Sequence, residues 1–231
     1  MKTFILVLLF IFNLPLQAQR SDFNEINFTI AENKAKLQEG KELYNLPSLV
    51  YGLTFYLKTD VEKFRAIYFW VCHNIRGNYD LMRKSERAFY NFKDDPEALD
   101  LWNKEFQKEV FVKLRSKKET LCAGYAYLIK ELSNLAGIEC EMVYGFGELN
   151  KVKFNAMEIP NHSWNAVKLD GKWYLNDATW SAGFIDMSNL FFEYSYDDSY
   201  FLMEPSEFVI THRPLEKKWI LISENSELVK L

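Results

Sequence analysis

The sequence predicts an α+β fold, helices first and an antiparallel sheet after them, and three observations carry that prediction. Apolar residues recur at helical spacing in three segments that end before Gly137, around Val61 to Cys72, Phe106 to Leu114 and Leu121 to Leu135. From Cys140 the pattern changes to alternation, with Cys140, Met142 and Tyr144 on one side and Glu141, Val143 and Gly145 on the other. Asp170-Gly171 then separates two alternating, aromatic-containing runs, a strong hairpin signal because both central positions of the favoured two-residue turn need positive φ.

The chain has 231 residues, enough for one domain with a substantial core, and its 48% hydrophobic content argues against general disorder. A formal charge of -4 gives no reason to expect a nucleic-acid partner. Residues 1–18 read as a signal peptide: Lys2, an apolar run from Phe4 to Phe12, and Ala18 at the cleavage point. The expected location is therefore secreted or periplasmic, with no stable membrane span after signal cleavage. An uncleaved leader would act as an anchor instead. Residues 19–54 are expected to form an N-terminal extension and residues 55–231 the main domain. Three cysteines follow the leader, Cys72, Cys122 and Cys140, so at least one stays unpaired within the chain. Cys72 and Cys140 either form a disulfide or remain two buried thiols, and no zinc-ligand spacing is present.

Taken in order, Ile30, Lys34, Leu37 and Lys41 sit at helical spacing, and a short helix is expected before a break at Pro47. Thr59 followed by Glu62 has the spacing of a reciprocal helix cap. Val61, Phe64, Ile67, Tyr68, Val71 and Cys72 then form one apolar face, with Lys63 and Arg65 expected towards solvent. Residues 74–80 read as a loop, and residues 81–103, which lack a sustained period, as an irregular insertion with helical pieces. A helix is expected from Lys104 to Lys117. Thr120 is placed to cap the next one, which runs from about Leu121 and stops at Gly137. Gly145-Phe146-Gly147 reads as a loop, Phe184 to Tyr200 as a loop folding back on the core, and Trp219 to Ile222 as a last strand.

The chemistry centres on Cys122. At the first turn of its helix, free backbone donors and the positive end of the helix dipole favour negative charge on the sulfur. If Leu169 and Lys172 flank the Asp-Gly turn, Trp164 lies opposite Asp177 and His162 lies diagonal to it, which puts all three on one sheet face. His162 can then take the thiol proton and Asp177 can fix its tautomer, the elements of thiol acyl transfer. Trp164 and Trp180 flank this pair as candidates for a substrate groove or for positioning the reacting carbonyl, although tryptophans in a hairpin ordinarily serve the core. The backbone amide of Cys122 is the best single candidate for an oxyanion donor. His73 reads as structural, and His212 falls near no cysteine or carboxylate pattern that gives it a role. Two histidines with scattered acids do not suggest a metal.

These residues resemble the transglutaminase-like, papain-like superfamily, especially its bacterial and kyphoscoliosis-peptidase-like members. The resemblance is carried by Cys122-Ala123-Gly124-Tyr125-Ala126, by His162-Ser163-Trp164-Asn165-Ala166-Val167, and by Trp173-Tyr174-Leu175-Asn176-Asp177-Ala178-Thr179-Trp180. It extends over about residues 55 to 222, with residues 201–205 and His212-Arg213-Pro214 similar to the tail of that group. The resemblance implies a papain-like/transglutaminase-like core in which the nucleophile helix packs against an antiparallel sheet. It implies Cys122 as nucleophile, His162 as base and Asp177 as orienting acid, with no cofactor carrying the chemistry. The family's usual Arg-Lys-Gly lead-in is replaced by Lys118-Glu119-Thr120, so Thr120 is expected to narrow the approach to the thiol. The expected activity is hydrolysis of a peptide or related amide in a protein or peptide substrate, with cell-envelope material among the candidates. Transglutaminase-type acyl transfer to an amine and a non-catalytic binding or scaffold module are the alternatives.

Overall fold

A reciprocal cap starts the central helix. The Thr59 hydroxyl accepts from the Glu62 amide at 3.3 Å, and the Glu62 carboxylate accepts from the Thr59 amide at 2.9 Å. The computed structural model describes residues 20–148 and 160–222; the predicted signal peptide, residues 1–18, lies outside them. Helices α1 (Thr29–Leu37) and α2 (Leu46–Thr54) pack against this central helix, α3 (Asp60–Asn74). Pro47, expected to break the chain, sits in the first turn of α2, where a missing N–H leaves no bond unmade. Ala31, Ala35, Leu49, Val50 and Leu53 join α3 in the main core, so the predicted extension packs with the rest.

Arg65 departs from its expected solvent position. Its side chain is 5% exposed and pairs with Glu32 of α1 at 2.7 Å and with Asp198. Both carboxylates come from segments remote in sequence, so the polarity of the residue alone assigned it to the wrong side.

Residues 81–103, expected to be irregular, belong to two helices, α4 (Tyr79–Phe92) and α5 (Pro96–Lys117), capped by the side chains of Asn78 and Asp95. Within residues 81–103 they bury only Leu81, Ala88 and Leu99, which explains the weak hydrophobic period there. Lys118 ends α5 at φ 56. Strands β1 (Arg76–Gly77) and β2 (Glu119–Thr120) then pair in parallel and fix the lead-in to α6 (Cys122–Leu135), after which Gly137 takes φ 80.

Thr120 does not cap α6; the N-cap is Leu121, because Thr120 is held extended against Gly77. Its side chain is fully enclosed, with the hydroxyl where a Cβ on Gly124 would lie, 1.8 Å away. Its bulk therefore fills the space beside the first turn of α6 and does not line the approach to the thiol.

The main sheet is antiparallel in the order β5-β4-β3-β8, with β3 (Cys140–Gly147), β4 (His162–Leu169), β5 (Lys172–Asn176) and β8 (His212–Pro214). The turn is made by Asp170 at φ 49 and Gly171 at φ 81, and Leu169 pairs with Lys172, the register expected from Asp-Gly. Gly145-Phe146-Gly147, expected as a loop, completes β3 and pairs with β8; a Cβ on Gly145 would lie 2.2 Å from the Arg213 carbonyl, so this approach needs glycine.

One face of the sheet meets α6 through Cys140, Val167, Leu169 and Tyr174, and the other buries Val143, Trp164, Ala166 and Leu175 against Phe208 and Trp219. Asn165, fully buried, ties helix to sheet by donating to the carbonyls of Ala126 at 2.9 Å and Glu141 at 3.2 Å. The short α7 (Ala178–Ala182) follows β5. The aromatic stretch expected as a loop contains a second hairpin, β6 (Gly183–Asp186) with β7 (Phe191–Tyr194). After α8 (Pro205–Thr211) and β8, Lys217–Ile220 is a 3-10 turn and not a strand; Trp219 is anchored edge-on to Trp173 at 5.0 Å. Among the described residues no helix is long and apolar enough to cross a membrane.

Candidate active site

Cys122 is the first residue of α6 and is half-buried. Helices α2, α3, α4, α5 and α7 each begin with a side chain that accepts from a first-turn amide, whereas Leu121 at the start of α6 has none to offer. The Gly124 amide donates to the Leu121 carbonyl at 2.9 Å, which leaves the amides of Cys122 and Ala123 for a developing negative charge. Cys72 and Cys140 are also free thiols, so the disulfide alternative is not realised. Both are enclosed, and burial pushes Cys140 up to about 12 and Cys72 well above the ordinary thiol value.

His162 opens β4, and Asp177 leaves β5 as the N-cap of α7. The His162 Nε2 and Asp177 Oδ2 atoms are 2.6 Å apart. With Nε2 committed to the carboxylate, Nδ1 is the nitrogen left for a thiol, and Cys122 is near enough to contribute to the raised value of His162. Burial disfavours the imidazolium, but the Asp177 charge and hydrogen bond, with the Cys122 contact, outweigh it and raise His162 to about 10. Burial likewise opposes ionisation of Asp177, yet His162 and His212 hold its carboxyl well below the usual range.

Asp177 is fully enclosed and accepts four donors. Oδ1 takes the amides of Thr179 at 2.8 Å and Trp180 at 3.2 Å; Oδ2 takes His162 and, at 3.1 Å, Nε2 of His212. His212 is the residue that sequence reasoning missed. Its contacts with the site come from β3 lying between β4 and β8, which pairs Gly145 with His162 and Gly147 with His212. Two alternating glycines at a strand end were the available signal, since they leave room for side chains to meet across the strand.

The two tryptophans separate. Trp164 is 1% exposed within the second core cluster, so it lines no groove; the packing of Phe208 and Trp219 over that sheet face encloses it. Trp180 is half-buried and stacks on the His162 ring at 5.0 Å and 25°, shielding the imidazole from water. His73 lies on Phe69 and bonds its carbonyl at 2.7 Å. Two surface depressions, of about 300 and 570 Å³, are lined by other residues and include none of Cys122, His162 and Asp177.

His162, Asp177 and His212 also bring three potential ligand atoms within 4.8 Å of one another. A metal would need a lone pair from each imidazole nitrogen, whereas contacts of 2.6 and 3.1 Å to one carboxylate oxygen need a proton on both. The arrangement is that of a hydrogen-bonded group.

Comparison with known proteins shows the family. Residues 47–178 match the family model described as the transglutaminase-like superfamily. Two curated relatives named kyphoscoliosis peptidase are similar: the Homo sapiens protein is 35% identical and the Mus musculus protein 34% identical, each over 187 residues, 79% of this chain and 25% of the relative. The chain thus spans about a quarter of the length of those relatives. A solved TGase crystal structure is similar over 74% of this chain and 38% of that chain, at 16% identity and a TM-score of 0.38.

Proposed function

The chain belongs to the transglutaminase-like superfamily, and from that premise we propose that it is an exported thiol hydrolase acting on peptide or related amide bonds through Cys122, His162 and Asp177. One observation carries the reading: a buried carboxylate takes Nε2 of His162 and leaves Nδ1 for a half-buried cysteine at an uncapped helix start. Export is supported by Lys2, the apolar run from Phe4 to Phe12 and Ala18.

In this reading the Cys122 thiolate attacks the amide carbonyl carbon, forming the C–S bond, while the oxygen takes the displaced electron pair beside the Cys122 amide. The tetrahedral centre collapses, the C–N bond breaks, and His162 delivers its Nδ1 proton to the leaving amine. Water then attacks the thioester, His162 takes a proton from it, and the released sulfur returns to the ion pair. Asp177 remains ionised throughout and fixes the ring.

The test is a peptide library offered to the protein with and without an added primary amine, read by mass spectrometry. Release in water alone is expected; incorporation of the amine would assign acyl transfer to an amine instead. Cys122→Ala is expected to abolish turnover while the free energy of unfolding stays within about 1 kcal/mol of the parent. Turnover that survives the substitution removes the triad from the mechanism.

A further inference from the structure

We propose that His212 is a positioning residue for Asp177: a neutral ring whose Nε2–H holds Oδ2 in the orientation that His162 requires. The inference rests on reading Cys122, His162 and Asp177 as the reacting group.

An ionised carboxylate has no proton to give, so the 3.1 Å contact requires the hydrogen on His212 Nε2. On a neutral ring Nδ1 is then an acceptor, and the Thr211 hydroxyl lies 2.9 Å from it. Both nitrogens of a fully enclosed imidazole are therefore satisfied. Burial and the neighbouring His162 charge hold His212 below the ordinary histidine value, which keeps it neutral beside the imidazolium. The ring is clamped by Phe208, stacked at 3.9 Å and 22°, and by Trp180 at 4.3 Å.

The backbone is shaped for this meeting. A Cβ on Gly147, the register partner of His212, would lie 2.8 Å from the His162 ring, so glycine is what lets that imidazole lean over β3. The two ring centroids are 5.6 Å apart. A ring needed only for packing would be served by phenylalanine, without the two hydrogen bonds that burying an imidazole demands. His212 lies beyond the stretch matched to the superfamily, so the segment after that stretch supplies this support. Its consequence is mechanical. When His162 gives up its Nδ1 proton, Asp177 keeps three donors, His212 and the amides of Thr179 and Trp180, that the transfer does not change.

The test compares the full chain with His212→Phe, which keeps an aromatic ring but loses the donor, and His212→Gln, whose amide nitrogen can replace Nε2. Iodoacetamide alkylation of Cys122 is followed by peptide mass spectrometry from about pH 5 to about pH 9. The parent is expected to react below neutral pH through its ion pair. In His212→Phe the rate at about pH 6 is expected to fall roughly ten- to hundredfold, with the acidic limb moved to higher pH, and His212→Gln to recover to within about threefold of the parent. Superimposable profiles for all three overturn the role of His212 and leave the triad reading standing. A parent with no reaction below neutral pH overturns both. If His212→Phe fails to fold, nitrogen-15 NMR of the parent decides, with three histidines to assign. A neutral His212 protonated on Nε2 at neutral pH supports the inference, and an Nδ1–H tautomer or an imidazolium there overturns it.

Discussion

Replacing Gly124 with alanine would place a methyl group 1.8 Å from the Thr120 hydroxyl and 2.8 Å from the Thr120 Cβ. Rotating the threonine side chain relieves the first contact but not the second, because Cβ does not move with χ1. The Thr120 backbone is itself held, its carbonyl accepting from Asn78 at 3.0 Å, and the side chain has no open space beside it. Overpacking of this kind costs about 1–3 kcal/mol, and alanine in a helix returns about 1, so a net loss of up to about 2 kcal/mol is expected. In a Thr120→Gly background the obstruction is gone, and the same change is expected to be neutral or to stabilise by up to about 1 kcal/mol. The coupling between the two sites is then the overpacking itself, about 1–3 kcal/mol, to be read from urea unfolding of the four chains of a double-mutant cycle. Thr120→Gly has its own cost, which the cycle subtracts. Because the clash falls in the first turn of α6, beside Cys122, alkylation of Cys122 should slow in Gly124→Ala and recover in the double variant. Equal effects of Gly124→Ala in both backgrounds would refute the packing argument.

Two further predictions concern charge. Arg65→Met removes the cation shared by Glu32 and Asp198 and is expected to destabilise by about 3–5 kcal/mol, with part recovered by adding Asp198→Asn; a urea-measured loss under about 1 kcal/mol would show the group to be no more than a surface pair. Stability should peak near the ordinary histidine value of 6.5. His73 and His212 fold with lowered values, chiefly through burial, so their contribution is complete above that pH and lost as pH falls below it; that of Asp177 is present above its unfolded value of 3.8 and lost in stronger acid. His162 is raised, so its contribution is full below 6.5 and lost as pH rises through about 10. Thermal midpoints should decline on both sides of the peak, and His162→Gln should flatten the alkaline side; a parent midpoint that climbs from about pH 7 to about pH 10 contradicts the assignment.

What was legible in the chain was local. The helix beginning at Cys122, the strand alternation and the Asp170-Gly171 turn each depend on a few neighbouring residues, and turn geometry alone sets which residues of β4 and β5 share a face. That parity was enough to bring His162 to Asp177. Helix α4 and the start of α5 escaped because helical turns that mostly face water need few apolar positions.

The sequence by itself determined the helix-then-sheet order, the hairpin register and the shared face of His162 and Asp177, since each follows from short-range spacing and backbone preference. Only the tertiary structure decided that Arg65 is buried between two remote carboxylates, that Trp164 belongs to the core while Trp180 covers the imidazole, and that His212 reaches Asp177. The physical reason is that a polar side chain's place is set by its partner. Those partners lie 33 and 133 residues from Arg65 and 35 from His212, brought close by packing and strand order that no local pattern encodes.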